Sequence, residues 1–468
     1  MRLKNFPVSR FALIVGVLLG ATFLDACTIS KVQDSKELTE KSLPSVTLPN
    51  QFAANSNIAG MQVDAGWLKQ FNDAELNELV AAALKNNPDI RVMAARRNQA
   101  ESLIDAAGGA QYPGLNALGN VGGKAGSSGS GITGYYIGAN WELDLWGRVR
   151  TSVAAAEQNS KAIIADQDAA RLSLIATLTK SVWFARNLQD QSNLANQNAE
   201  AAIKYAELMQ VREKVGASSN SEVSAALSNA AQSKEAAISA TQTRDQALRA
   251  VEVLVGRYPK AEPLKTTFLP DLPPPVSPGL PADLLERRPD VIAAEARVNS
   301  AFYLADEKRL ARLPKINLTA GFGYINSQIF SLINSSNTSF GVGANASVPL
   351  FMGGTIEAQI AYQNAEAQAA LANYGKIVLT AFNDVENALS GEANWRERCK
   401  QLEIQLKEQK RIMQNTSSEL KIGRVDQRQV QQQIISTNTS EMRWRQGKVD
   451  ALAQRVNLYL ALGGSAEE

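Results

Sequence analysis

The stretch Tyr135-Tyr136-Ile137-Gly138-Ala139-Asn140-Trp141-Glu142-Leu143-Asp144-Leu145 alternates with a period of two. Tyr135, Ile137, Ala139, Trp141, Leu143 and Leu145 fall on one side, and Tyr136, Gly138, Asn140, Glu142 and Asp144 on the other. Successive side chains of a strand point to opposite faces, so this spacing predicts a strand with one apolar and one polar face. A very long helical pattern follows, from about Arg148 to Val215. It is rich in Ala, Gln, Asn, Ser and Glu, with Ile163, Leu172, Ile175, Leu178, Val182 and Trp183 recurring at helical spacing. At 1.5 Å per residue such a helix is ~100 Å long, and it is stable only when packed against neighbours.

The pattern occurs twice. Asn87-Pro88-Asp89-Ile90 matches Arg288-Pro289-Asp290-Val291 and Tyr112-Pro113-Gly114-Leu115 matches Leu313-Pro314-Lys315-Ile316, both 201 residues on. Gly138-Ala139-Asn140 matches Gly343-Ala344-Asn345 at 205, and Val215-Gly216 matches Ile422-Gly423 at 207. A collinear series of this kind marks an internal duplication. In the second half Phe340, Val342, Ala344, Ala346, Val348 and Leu350 alternate with Gly341, Gly343, Asn345 and Ser347. Before them, Ile316, Leu318, Ala320, Phe322 and Tyr324 alternate with Asn317, Thr319, Gly321 and Gly323.

The boundaries follow. Residues 1–26 read as a signal peptide and 27–70 as a lipidated N-terminal segment. The first repeat spans 71–255, with a hairpin about 113–146 and helices about 148–215 and 221–254. A linker spans 256–287. The second repeat spans 288–462, with a hairpin about 314–351 and helices about 355–422 and 426–462, and 463–468 form a tail. Gly216 and Gly423 stand where a helix C-terminus favours glycine. Strands of about ten residues suit a tilted bilayer crossing. Four strands cannot close a barrel, and open edges cannot sit in lipid. Either the sheet is soluble, or several chains share one barrel; three would supply 12 strands.

Composition removes other classes. The chain has no histidine, which excludes Ser-His-Asp and Cys-His catalysis and histidine metal sites. Its only cysteines are Cys27 and Cys399, and no metal or catalytic cluster stands out. A formal charge of +2 gives no basic field for nucleic acid. Arg2, Lys4 and Arg10 precede the apolar run Phe11 to Phe23, the form of a signal peptide. Leu24-Asp25-Ala26-Cys27 then resembles a bacterial lipoprotein box, with Asp25 as its departure and Cys27 as the acylated residue. Thr28 after the cysteine leans toward the outer membrane. The glycine-rich stretch Gly122 to Gly131 precedes a strand and lacks the closing Gly-Lys-Ser/Thr of a phosphate loop, so it reads as an extracellular loop.

Longer motifs now carry a resemblance. Leu280 through Val291 (LPADLLERRPDV) followed by Ala294-Glu295, Trp141 through Arg150 (WELDLWGRVR), Val348-Pro349-Leu350-Phe351 with Gly353-Gly354, and Val456 through Gly464 (VNLYLALGG) are similar to outer-membrane efflux proteins of the TolC type, in the lipoprotein branch that serves multidrug pumps. The resemblance implies a mainly α chain with a transmembrane β part. It implies a homotrimer whose 12-stranded barrel continues into a periplasmic helical barrel, with residues around 28–70, 256–280 and the C-terminal end forming a mixed band around it. It implies a periplasmic adaptor, a proton-driven inner-membrane pump, contact with outer-membrane lipid, and no catalysis, cofactor or metal beyond the lipid on Cys27. Its gate lies at the helix tips, here the turns Glu213 to Val223 and Leu420 to Gln432. Gly216, Ser218, Asn220 and Gly423 are the turn residues for adaptor or pump contact. Asp426 is the candidate acid ring, with Arg424 and Arg428 as inter-helix partners. Gln429 and Gln432 stand where relatives often carry acids. Glu142 and Asp144 are the barrel-lumen candidates, and the expected cargo is drugs or other small toxic compounds, with protein or peptide secretion as the alternative.

Overall fold

The computed structural model describes residues 32–47, 49, 51–54, 66–121, 133–276, 281–326 and 338–464. The signal segment, Cys27, the stretch Gly122 to Gly131 and the last four residues lie outside them. The described elements are α1 (Ser35–Ser42), a short 3-10 turn (Trp67–Phe71), α2 (Ala74–Asn86), α3 (Pro88–Gly109), β1 (Gly114–Val121), β2 (Thr133–Leu143), α4 (Arg148–Lys214) and α5 (Asn220–Val255). Then come α6 (Pro281–Arg287), α7 (Pro289–Leu310), β3 (Lys315–Asn326), β4 (Thr338–Ser347), α8 (Thr355–Lys421) and α9 (Gln427–Ala461). Both long helices, α4 and α8, contain 67 residues. The chain is mostly helical, with two compact units to which α4 and α8 both contribute.

One unit (1–44, 96–164 and 293–376) holds the sheet. Its strands form an antiparallel meander in the order β1-β2-β3-β4. Tyr135 opposes Tyr324, Ile137 opposes Phe322 and Trp141 opposes Leu318, while Phe322 opposes Phe340 and Ala320 opposes Val342. The alternation therefore aligns into one apolar face across all four strands. Its side chains stay exposed within the chain: Leu115 is 76% accessible, Phe340 75% and Val342 74%. The other face carries Asn116, Asn140, Glu142, Asn317, Thr319 and Asn345 among glycines. In the same unit α1 docks on second-repeat helices: Tyr374 Oη donates to the Ser35 carbonyl at 3.0 Å, and Asn299 exchanges two hydrogen bonds with the Gln33 backbone.

The ladders correct two sequence expectations. Asp144, Leu145, Val348 and Leu350 lie beyond their strands. The 205-residue match is also not the structural equivalence. Gly114 opposes Asn140 and Lys315 opposes Ser347, so β1 maps to β3 at 201 while β2 maps to β4 at 207. Gly138 thus corresponds to Asn345. Sliding an alternating strand by two keeps every side chain on its face, so a short string match does not expose the slip. The whole six-residue difference is taken up within the hairpins.

The second unit (45–95, 165–292 and 377–468) is helical. A small aromatic cluster sits there: Trp67 stacks on Tyr459 at 5.2 Å, and Phe71 meets the Trp183 edge at 4.8 Å. The duplication is also visible in this unit as a repeated joint. Asn87 Nδ2 donates to the Leu254 carbonyl, and Arg288 Nη1 donates to the Ala461 carbonyl. These are corresponding residues of the two halves. Gly256 (φ 79°) and Gly463 (φ 67°) terminate α5 and α9 in the left-handed conformation. A Cβ there would stand 2.8 Å from the Asn86 carbonyl oxygen and 2.9 Å from that of Arg287.

Candidate functional site

The two helix-tip turns are built alike. In the first, the Gly216 amide donates to the Glu213 carbonyl and the Ala217 amide to the Arg212 carbonyl, both at 2.8 Å. In the second, Gly423 donates to Leu420 and Arg424 to Glu419. Each glycine has a positive φ, 72° and 74°. This double bond pattern satisfies helix-end carbonyls and needs a left-handed residue, hence glycine. The cap of the next helix stands three residues after the glycine in both. Ser219 caps α5 in a capping box with Glu222, and Asp426 caps α9 in a capping box with Gln429. Under the first turn lies an apolar core of four alanines with Met209 and Val223: Ala202, Ala206, Ala226 and Ala230.

These bonds give the predicted gate residues local work. Asp426 Oδ1 accepts from the Arg428 amide at 2.9 Å and the Gln429 amide at 3.2 Å, and Oδ2 accepts from Arg428 Nε at 2.9 Å. The Arg428 bond, followed by these amides, holds the Asp426 carboxyl below the usual range. Within the chain Arg428 pairs with Asp426 two residues away. Gln429, expected to replace an acid, accepts from the Asp426 amide at 3.3 Å, a role that glutamine fills as well as glutamate. Arg424, Gln429 and Gln432 share a shallow concavity with Gly423 and Asp426. Ser218 Oγ points to Met209 Sδ at 3.8 Å, and Asn220 opens α5. The two turns sense each other's charges. Tyr205, raised first by burial, also feels Arg428, Asp426, Glu222 and Arg212.

Glu142 and Asp144 are engaged at the strand-to-helix joint. Arg148 binds both Glu142 oxygens, at 3.0 and 2.9 Å, and Glu307 at 2.8 Å. Asp144 accepts from the Val149 and Arg150 amides, both at 2.9 Å, and so caps α4. Trp146 Nε1 donates to the Pro314 carbonyl at 2.7 Å. Higher on the polar face, the Tyr136 ring lies over glycines: a Cβ at Gly321 would stand 2.4 Å from its hydroxyl, and one at Gly138 2.5 Å from the ring.

One set of residues gave no sequence signal. Four arginines hold the linker by its main-chain carbonyls. Arg186 donates to Phe268 at 3.1 Å, Arg445 to Thr267 at 2.9 Å, Arg396 to Pro273 at 2.7 Å and Arg455 to Pro274 at 2.7 Å. Arg186 and Arg455 are fully buried, paired with Asp73 and Glu75 and with Glu392 respectively. Burial raises the Asp73 carboxyl, but the Arg186 bond and the Leu76 amide outweigh it and leave it below the usual range. A single arginine in an Ala/Gln-rich helix reads as solvated until its partners are placed.

The chain matches the family model described as "Outer membrane efflux protein" over residues 79–257 and 280–464. It is 26% identical to the outer membrane protein OprJ of Pseudomonas aeruginosa, covering 100% of this chain and 98% of that protein. It is 29% identical to the pyoverdine export outer membrane protein OpmQ of Pseudomonas putida, over 86% of this chain and 88% of that one. The open-state MtrE outer membrane channel of Neisseria gonorrhoeae superposes with a TM-score of 0.77 at 25% identity, covering 94% of this chain and 99% of that chain.

Proposed function

The chain belongs to the outer membrane efflux protein family, and we propose that three copies close a 12-stranded barrel whose helical part opens and shuts at the two tip turns. The protein is the outer-membrane channel component of a tripartite efflux system in a Gram-negative bacterium. It works with a periplasmic adaptor and an inner-membrane pump. In our reading the pump is proton-driven, Cys27 carries a lipid anchor, and the cargo is drugs or other small toxic compounds. Function here is conduction: the chain supplies a path and a gate.

The sheet carries this reading. Its apolar face is continuous across four strands, and β1 and β4 each leave an edge unpaired within the chain. Lipid accepts such a face and forbids such edges, so further strands must complete the wall. Asn, Thr and Gly on the other face give it a wet lining. At the tips, Asp426 and its copies surround the axis, each charge moderated by Arg428.

The test is accumulation of a fluorescent drug-like dye in cells with and without this protein. Loss of the protein should raise dye accumulation, and a plasmid copy should reverse it. Equal accumulation in a strain without sister channels would move the cargo to another class, such as a secreted protein.

A further inference from the structure

We propose that the free face of the Tyr136 ring, with Leu118 beside it, is a stacking site for flat aromatic compounds on the inner wall of the pore, near its outer end. The proposal rests on the shared barrel and names the class of cargo that this wall would hold.

The polar face of the sheet is interrupted at one rung. Leu118 opposes Tyr136, Tyr136 opposes Gly323 and Gly323 opposes Ser339. An aliphatic and an aromatic side chain thus stand together on the side otherwise lined by Asn, Thr, Ser and Gly, 60% and 44% exposed. The charged residues of this face among those described, Glu142 and Lys315, lie at its helix end. Glu142, the nearer along β2, is about 20 Å from Tyr136 at 3.4 Å per residue. Covering the pair releases apolar surface from water and brings no fixed charge into play. Tyr136 is on the fourth rung from the hairpin end of the β1–β2 ladder, so cargo leaving the helical part meets it after the polar stretch of wall.

The ring is held face down. A Cβ at Gly138 would stand 2.5 Å from its Cε1, one at Gly321 2.8 Å from its Cε2, and one at Gly323 3.1 Å from its Cδ2. Gly138 lies on β2 and the other two on β3, so both edges of the ring touch the floor and the opposite face is turned to the pore. Gly138 and Gly323 are buried beneath it. Beside the ring the floor continues onto β4 at Gly341, which opposes Gly321 and has nothing within 4 Å of where a Cβ would stand. A flat face fixed on a flat floor is complementary to another planar π system, which it meets by offset stacking. Leu118 supplies an aliphatic wall on one side. Because the site is open above, it holds cargo briefly and lets it leave.

The test is block of single-channel current in planar bilayers by ethidium, a flat aromatic cation, compared with tetrabutylammonium, a cation without rings. Ethidium should interrupt the wild-type current. Tyr136→Phe keeps the ring and should keep the block. Tyr136→Leu keeps an apolar cover on the glycines without a ring, and should weaken ethidium block roughly two- to tenfold, the worth of one aromatic pair. Its block by tetrabutylammonium should not change. Equal ethidium block in wild type and Tyr136→Leu overturns the proposal. So does an equal loss of tetrabutylammonium block, which would trace the change to charge or pore width. Should Tyr136→Leu form no channel, Gly321→Ala reads the same contact, since it keeps the ring but lifts it from the floor; unchanged ethidium block there overturns the proposal as well. A wild-type chain that forms no multimeric channel, seen before any blocker is added, overturns the shared barrel itself and this site with it.

Discussion

Arg186 shows how much one residue carries in the helical unit. Its fork holds Asp73, Glu75 and the Phe268 carbonyl from a fully buried position. Arg186→Ala leaves a buried carboxylate unpaired and is expected to cost about 3–5 kcal/mol in denaturant unfolding. Arg186→Lys should not restore it, since one ammonium cannot reproduce a planar fork. Asp73 has its folded value depressed below 3.8, so its contribution is present above about pH 4 and is lost as pH falls through that lower value. Asp73→Asn should therefore flatten the acid limb of melting temperature against pH. Glycines separate in the same manner. Gly216→Ala and Gly423→Ala face open space and should cost only the left-handed penalty, about 1–2 kcal/mol. Gly256→Ala and Gly463→Ala should cost more, because the added methyl also meets the carbonyls of Asn86 and Arg287.

Elements are governed by their ends and faces. Asp426→Ala removes the cap of α9 and should destabilise that helix start by about 1 kcal/mol. Amide exchange at Arg428 and Gln429, whose N–H groups Asp426 accepts, should accelerate. If the carboxylate also rings the pore, cation selectivity in a planar bilayer falls in the same variant; faster exchange with unchanged selectivity confines Asp426 to capping. In the sheet, Gly321 and Tyr136 form a coupled pair across β2 and β3. Gly321→Ala should destabilise the wild-type sheet and do so much less in a Tyr136→Ala background. Additive effects in that double-mutant cycle would mean that the ring does not rest on the glycines.

At the scale of the whole molecule the proposed shared barrel is what gives the apolar face lipid and gives the two edges left unpaired among the described residues their partners. The purified protein should accordingly insert into planar bilayers as a discrete multimeric channel, and monomers separated by heat should yield no conductance. Loss of the dye phenotype and loss of this conductance are expected together in any variant that prevents assembly.

Much of this was legible in advance. Period-two alternation predicted the strands and their faces, because a strand's geometry leaves its side chains no other choice. Helical spacing and the two tip glycines placed the 67-residue helices to within a residue or two, since the left-handed end of a helix favours glycine whatever surrounds it. The duplication itself was visible as collinear matches. Register was not: a slip of two preserves every local pattern, and only the hydrogen-bond ladders showed that β2 and β4 correspond at 207. The partners of charged groups were equally hidden. Asp426 and Arg428 are gate candidates from the sequence, and only the tertiary structure shows that they also form a helix cap and its brace. Nothing local in the sequence marks Arg186 and Arg455, yet they anchor the linker from the core. Periodicity and end chemistry act over a few residues and are written in the chain. Ion-pair partners and strand register are set by groups far apart in sequence, so they appear only when the fold brings those groups together.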